Sequence, residues 1–390
     1  MTPAPLADAL DAGARPSLRD RWRLLRNRLY ASAQFHRLAA ALPLTRPIAR
    51  QASRELFDIV AGFTYSQVLL ACVRLRLFDH LASGPQSLEA IARLVGLPDD
   101  GALRLLRAAA SLRLLERFGN ERWGLGPLGA PMVALPAVAA MVEHHAALYQ
   151  DLADPVALLR GERAATALAG YWPYADASAD ATPQALSADR VAEYSALMSA
   201  SQPLVAEQVL DAYPIGRHRC LLDVGGGEGT FLAAAARRAP DLRLMLFDLP
   251  AVAERARERL AAHGLAERTR IASGSFFTDP LPAGADLVTL VRVLFDHPDE
   301  RVLTILRAVR AALPPDGVLL VCEPMSGTPG AEAIGDAYYG MYLLAMGRGR
   351  SRTPQRLEEL LAAAGFAQSR LLPTRLPLQT RVMLARGVRR

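Results

Sequence analysis

Asp223 and Asp248 carry the clearest chemistry in this chain of 390 residues. Asp223 closes the run RCLLDV, and Gly225, Gly226 and Gly227 follow within GGGEG. CLLDV is short, apolar and β-prone, the pattern of a buried parallel strand. Glycine lets the backbone turn tightly after such a strand and come close to a ligand. TFLAAAARRA then continues as a helix. A nucleotide-like ligand is expected against this strand–turn–helix junction. Asp248 ends the next apolar run, RLMLFD, where a carboxylate can accept hydrogen bonds from both ribose hydroxyls.

A dinucleotide fingerprint wants glycine or alanine where Thr230 stands. Asp223 lies two residues before the first glycine, where its charge repels a pyrophosphate and suits a cation. S-Adenosylmethionine has a ribose, a sulfonium and an ammonium, and no phosphate. It is the expected cofactor. The plainer alternative is that the glycines only make a turn.

Composition narrows the remaining chemistry. The net charge is +6, and all 45 basic residues are arginine. With no lysine, Schiff-base and lysine general-base mechanisms are excluded. Cys72, Cys220 and Cys322 are far apart, which fits buried thiols better than a disulfide, and no metal site is expected. Half the chain is apolar, yet no uninterrupted apolar run reaches the roughly 20 residues of a membrane span. The start lacks a basic-then-apolar leader, so no signal peptide and a reducing, cytoplasmic setting are expected.

These residues need a sheet to position them. Residues 205–390 alternate strands and helices, with strands near 219–225, 243–248, 268–273, 286–293, 317–322, 367–373 and 379–386. The fold class is α/β, with a doubly wound, Rossmann-like parallel sheet. LPTRLP is too short for a helical crossover, so the last two strands form a terminal antiparallel hairpin. Residues 51–204 read as a mostly helical, winged-helix-like domain, with a two-residue hairpin turn at Gly119-Asn120. Arg104, Arg107 and Arg113 on its second helix raise a DNA-binding alternative. Beside a cofactor site they read as a solvated face, and no nucleic acid is expected. The stretch ADASADATPQALSAD reads as a surface loop.

Residues 1–50 form a basic arm. Trp22, Leu25, Leu29 and Phe35 can share one helical face, with Arg19, Arg21, Arg23, Arg26 and Arg28 around the rest. Such a helix can lie on an anionic membrane, as a peripheral contact, or serve as a dimer contact. The longer helix ELFDIVAGFTYSQVLLACVRLRLF offers more apolar surface than a small domain buries, so a homodimer is expected.

With LLDVGGGEG, FDLP, GSFF and VRVLFDHPDE behind a winged-helix-like half, the chain resembles the small-molecule O-methyltransferases of plants and bacteria. The arm, MVEHHAALYQDLADPVALLRGE and GDAYYGMYLLAMGRGRSR are similar to the bacterial carotenoid enzymes of the spheroidene pathway. Those methylate the tertiary 1-hydroxyl of acyclic carotenoids such as hydroxyneurosporene and demethylspheroidene. The resemblance spans roughly residues 18–388 and implies a class I methyltransferase sheet, a helical dimerisation domain and a homodimer.

The resemblance also implies site residues. Asp223, Gly225 and Gly227 would line the methionine end of the cofactor, and Asp248 would take the ribose. Leu249, Ser275 and Phe276 would flank the adenine, with Ser275 where the family usually has aspartate. Arg292 is the nearest cation to a position often occupied by lysine. It either supports the cofactor or reaches solvent. The plant-type histidine base falls at Phe295, a clear departure. Asp296 remains, Glu323 matches a carboxylate that orients the base, and the second carboxylate of the plant pattern falls at Ser351. His297 is displaced by two positions and is either the base or a helix-start residue.

Methyl transfer needs mainly placement of an oxygen about 3 Å from the methyl. A base helps late, as the oxonium forms. Histidine suits that task. His144 and His145 are further candidates, although neighbours on a helix point about 100° apart, so one at most should face a pocket well. Met198, Tyr342 and Met346 are expected near the substrate. Three functions compete: an O-methyltransferase for an apolar carotenoid alcohol, one for a phenol or polyketide, and a non-catalytic cofactor-binding regulator.

Overall fold

The computed structural model describes residues 17–163, 165–171, 201–347 and 349–387. The chain divides into two compact units, Met1–Leu77 with Gly84–Gly126, and Phe78–Ser83 with Pro127–Arg390. Met198 and the stretch ADASADATPQALSAD lie outside the described residues.

In the first unit, the arm is two helices rather than one, Leu18–Tyr30 and Ala33–Ala41. The Ser32 hydroxyl caps the second by accepting from the Phe35 N–H, so Phe35 does not continue the face of Trp22, Leu25 and Leu29. A helix of 29 residues follows, Arg46–Arg74. By length and composition it is apolar enough to cross a membrane, which a search for uninterrupted apolar runs does not detect. Only its last turns are buried, at Leu70, Cys72 and Val73. The helices Leu88–Val95 and Asp99–Ser111 lead into β1 (Leu115–Phe118) and β2 (Arg122–Leu125). Phe118 pairs with Arg122, so the wing turn has three residues, not two. Asn120 and Glu121 both adopt positive φ there. Arg104 pairs with Asp100 on an exposed face.

The second unit is built on seven strands: β3 (Cys220–Val224), β4 (Arg243–Asp248), β5 (Thr269–Ser273), β6 (Leu287–Val291), β7 (Val318–Glu323), β8 (Gln368–Leu372) and β9 (Arg381–Arg386). Their order is β5-β4-β3-β6-β7-β9-β8. The first five are parallel, and β9 runs antiparallel to both β7 and β8. β3, β6 and β7 are buried along their whole length because helices cover both faces of the sheet. One face packs Leu221, Phe231, Leu244 and Leu320 together, and the other Leu222, Val288, Ile305 and Leu319. Strand order reverses beside β3, so the carboxyl ends of β3 and its neighbours open the crevice where α/β sheets bind ligands.

Sequence patterning assigns residues 127–171 to the helical half, but here they group with the sheet. The helices Pro136–Asp151, Pro155–Leu159 and Ala167–Tyr171 supply Leu148, Leu158 and Leu168 to an apolar cluster. Phe295, Tyr342, Leu343 and Met346 complete it.

One buried cation organises the loops above β6. Arg352 donates from Nε to Asp299, from Nη1 to the Leu294 carbonyl and from Nη2 to the His297 carbonyl. Its side chain is 2% exposed. Arg352→Ala would leave the Leu294 and His297 carbonyls without this donor and Asp299 with Arg356 alone. We expect a loss of about 3–5 kcal/mol in urea unfolding, and a loss within 0.5 kcal/mol would mean the network contributes little.

Candidate active site

β3 delivers Asp223 to the centre of the crevice with its side chain almost fully enclosed. Oδ1 accepts a 2.6 Å hydrogen bond from the Thr289 hydroxyl on β6. Oδ2 is buried and has no hydrogen-bond partner among the described residues. Burial pushes the Asp223 carboxyl up to about 7; the Thr289 bond opposes this and the nearby Asp248 adds to it. A buried carboxylate oxygen without a donor is costly, and it is the group that a bound ammonium or sulfonium would satisfy.

The glycine turn makes room for this. Gly225 has φ +68°, and its N–H donates to the Phe247 carbonyl. A Cβ on Gly226 would sit 2.9 Å from Asp223 Oδ2, so any side chain there would displace the carboxylate. Asp248 reaches back from β4: its Oδ2 accepts from the Gly227 N–H at 2.8 Å, and its Oδ1 from the Leu249 N–H at 2.7 Å. Oδ2 thus braces the turn and Oδ1 the start of the next helix, and each keeps a lone pair for a hydroxyl. Burial holds the Asp248 carboxyl up at about 6, with the two N–H bonds opposing.

Glu228 is a residue that the sequence reading passed over. Its carboxylate accepts from Arg255 and Arg259 on the helix Pro250–Ala262 that follows Asp248. With Asp248 bonded to Gly227, the turn and the next helix are braced in both directions. The signal was available as arginines at 255 and 259, spaced to share one helix face. Thr289 was also missed, because a single hydroxyl inside an apolar strand does not reveal its partner.

Next to the glycine turn, Ser275 opens a local turn of its own. Its N–H donates to Asp279 and its hydroxyl accepts from the Phe277 N–H. Phe276 comes close to Gly225, within 3.9 Å of the position a Cβ would take. The His297 ring packs edge-on against Phe276 at 5.7 Å and Phe277 at 5.2 Å. His297 therefore shares the cofactor side of the crevice, immediately before Pro298.

Asp296 and Glu323 form a second buried acidic group. Glu323 Oε2 accepts from the Phe295 N–H at 3.1 Å, while Glu323 Oε1 and Asp296 Oδ1 are shielded from solvent. Burial and then Glu323 raise the Asp296 carboxyl well above the usual range, against Arg292. Burial pushes Glu323 up to about 7, against Arg352 and the Phe295 and Leu294 N–H groups. Arg292, at φ +57°, donates to Ser201 and Gln202 and faces Asp296 electrostatically, so its head group is engaged within the protein. Ser351 bonds Ser326.

A third group lies in the apolar cluster. His144 Nε2 is 2.8 Å from the Tyr342 hydroxyl, and His145 Nε2 is 2.8 Å from the Tyr338 hydroxyl. Both adjacent histidines thus bond tyrosines of one continuous helical segment. Tyr338 and Tyr342 are four residues apart and offer a hydroxyl to each direction. Burial lowers His144 to about 4, with His145 adding to it, and burial lowers His145 as well. Met346 lies in the same cluster. Among the described residues no cluster of His, Cys, Asp and Glu could hold a metal.

Comparison with known proteins bears directly on this geometry. Residues 149–367 match the O-methyltransferase domain model and residues 57–134 the O-methyltransferase dimerisation domain model. The chain is 46% identical to demethylspheroidene O-methyltransferase of Cereibacter sphaeroides over 346 residues, covering 89% of this chain and 90% of that one. Its identity to the Rhodobacter capsulatus enzyme of the same name is 41% over 359 residues, covering 92% and 88%. Human N-acetylserotonin methyltransferase, solved in complex with SAM, superposes with a TM-score of 0.71 at 26% identity, covering 87% and 98%.

The raised carboxyls of Asp223 and Asp248 predict a pH-dependent cofactor affinity. Asp223 and Asp248 gain protons as pH falls through about 7 and about 6. A protonated Asp223 no longer attracts a cation. Both values lie above those of an unfolded chain, so the unligated fold loses stability as pH rises towards 7, and a bound cation offsets that loss. Calorimetry should show S-adenosylmethionine binding about tenfold or more weaker at pH 5.5 than at 7.5. Equal affinity at the two values would remove the assignment.

Proposed function

Because the chain belongs to the O-methyltransferase family, we propose that it methylates the tertiary 1-hydroxyl of an acyclic hydroxycarotenoid. The observation that carries this is the identity of 46% and 41%, across most of both chains, to two demethylspheroidene O-methyltransferases. The apolar cluster around Phe295, Tyr342 and Met346 supports it, because a hydrocarbon chain needs such a lining. The phenol or polyketide alternative and the non-catalytic reading have no comparable observation behind them.

S-Adenosylmethionine supplies an electrophilic methyl group when bound. Asp223 Oδ2 takes its positive end, and Gly225 and Gly227 give the backbone room. Asp248 takes the ribose hydroxyls, and Leu249, Ser275 and Phe276 flank the adenine. His297, edge-on to Phe276, closes that side. Glu323 holds the Phe295 backbone through its N–H, and burial favours the protonated forms of Asp296 and Glu323. Arg292 opposes this at Asp296.

Helix Arg46–Arg74 exposes Leu56, Phe57, Ile59, Val60 and Phe63. A second copy of the chain covers this face, in keeping with the dimerisation match that begins at residue 57. The arm helix Leu18–Tyr30 exposes Trp22, Leu25 and Leu29 among five arginines and rests peripherally on the anionic membrane that holds the carotenoid.

Two measurements test this reading. Labelled methyl should pass from S-adenosylmethionine to a 1-hydroxylated acyclic carotenoid in detergent or vesicles. Absence of transfer to it, with transfer to a phenol, would overturn the substrate. Removing residues 1–44 should leave cofactor affinity intact and reduce co-sedimentation with vesicles rich in anionic lipid, an effect that fades with salt. Unchanged sedimentation would assign the arm to another contact.

A further inference from the structure

We propose that Tyr342, backed by His144, docks the substrate hydroxyl and receives its proton. This rests on the methyl-transfer reading above and names the group that completes it.

The turn between β6 and the next helix reaches three places at once. Val293 lies against the glycine turn, 2.9 Å from where a Gly225 Cβ would stand. Two residues on, the Phe295 ring enters the apolar cluster and meets Tyr339 edge-on at 6.2 Å. After another two, His297 turns back to Phe276 and Phe277. The apolar cluster is thereby joined to the cofactor turn through one short segment. The His297 ring rests on two phenylalanine rings, and Glu323 Oε2 accepts from the Phe295 N–H, while Glu323 Oε1 and Asp296 Oδ1 have no hydrogen-bond partner among the described residues. In the cluster itself, the described side chains able to exchange a proton are Tyr338, Tyr339 and Tyr342, with His144 and His145 bonded to two of them.

The backbone there departs from the ordinary helix. Residues Ala333–Tyr338 form a π-helix that passes into the α-helix Tyr339–Met346. Such turns are rare and occur often at functional sites. The extra residue per turn shifts the register just before the tyrosines. Tyr338 and Tyr342 then face His145 and His144, while Tyr339 faces Phe295. His144 and Tyr342 are the more enclosed pair, 8% and 4% exposed. A buried polar pair inside an apolar lining is what a site needs to orient one hydroxyl on a hydrocarbon.

The proton balance is simple. The substrate oxygen forms a bond to the methyl carbon as the carbon–sulfur bond breaks, and its electron pair stays on sulfur. The oxygen's proton passes to Tyr342 Oη, and the tyrosine's own proton passes to His144 Nε2. The ether and an imidazolium result, and the imidazolium later releases its proton to water. A dialkyl oxonium is a strong acid, so a weakly basic, neutral imidazole suffices to accept its proton.

The test uses the full-length enzyme. Tyr342→Phe keeps the ring and removes the hydroxyl. It should lower kcat about 100-fold or more while S-adenosylmethionine affinity stays within twofold of wild type. His144→Gln should do the same, and the double variant should be no slower than either single one. Imidazole nitrogen NMR of the unliganded protein gives a readout free of turnover. It should show His144 with its proton on Nδ1 and Nε2 accepting from Tyr342. Turnover within twofold of wild type in Tyr342→Phe, or an Nε2-protonated His144, would overturn the inference. If wild type prefers another alcohol, the substrate reading fails separately, and the same variants are compared on that alcohol.

Discussion

A carboxylate enclosed at the end of β3 constrains the rest of this structure. Burying Asp223 without a full set of donors opposes folding, and Thr289 satisfies only one of its oxygens. The glycine at 226 exists so that the second oxygen keeps its place. Asp248 then braces the turn from β4, and Glu228 braces the turn to the following helix. A bound cation would pair with the second oxygen. The arrangement suits a ligand with a sulfonium and an ammonium, and disfavours one with phosphates.

The second constraint is the segment from Val293 to His297. It follows the central strand β6, so its backbone is fixed at one end by the sheet. Arg352 and the Arg350 N–H fix it from the other side, through the carbonyls of Leu294, His297 and Phe295. Held this way, alternate side chains enter the cofactor side and the apolar side. The chemistry of the family therefore survives the presence of Phe295 where a base is usual. The ring extends the apolar lining, and two helices bring hydrogen-bonded histidine–tyrosine pairs into the same cluster.

Much of the fold was legible in the sequence. CLLDV, RLMLFD and VLLVCE are apolar runs of strand length, and each became a strand in the parallel part of the sheet, buried throughout in β3 and β7 and buried except at its two ends in β4. The hairpin at the end followed from a connection too short to cross the sheet. Asp223 and Asp248 were legible because glycine spacing and strand ends locate them. Other features were not. The direction of His297 depends on a ring cluster assembled from residues twenty positions earlier. The pairing of His144 and His145 with tyrosines almost two hundred residues away leaves no local trace. The π-helix gives no pattern in composition, and the break at Ser32 hides in an otherwise helical run. In each case tertiary contact, not local preference, decides.

The most direct measurement is a crystal structure of the protein with S-adenosylhomocysteine. The account predicts the ligand's ammonium about 3 Å from Asp223 Oδ2 and its ribose hydroxyls on Asp248, with the glycine turn unmoved. A ligand whose amino-acid end lies away from Asp223, with Oδ2 still unpaired, would contradict it.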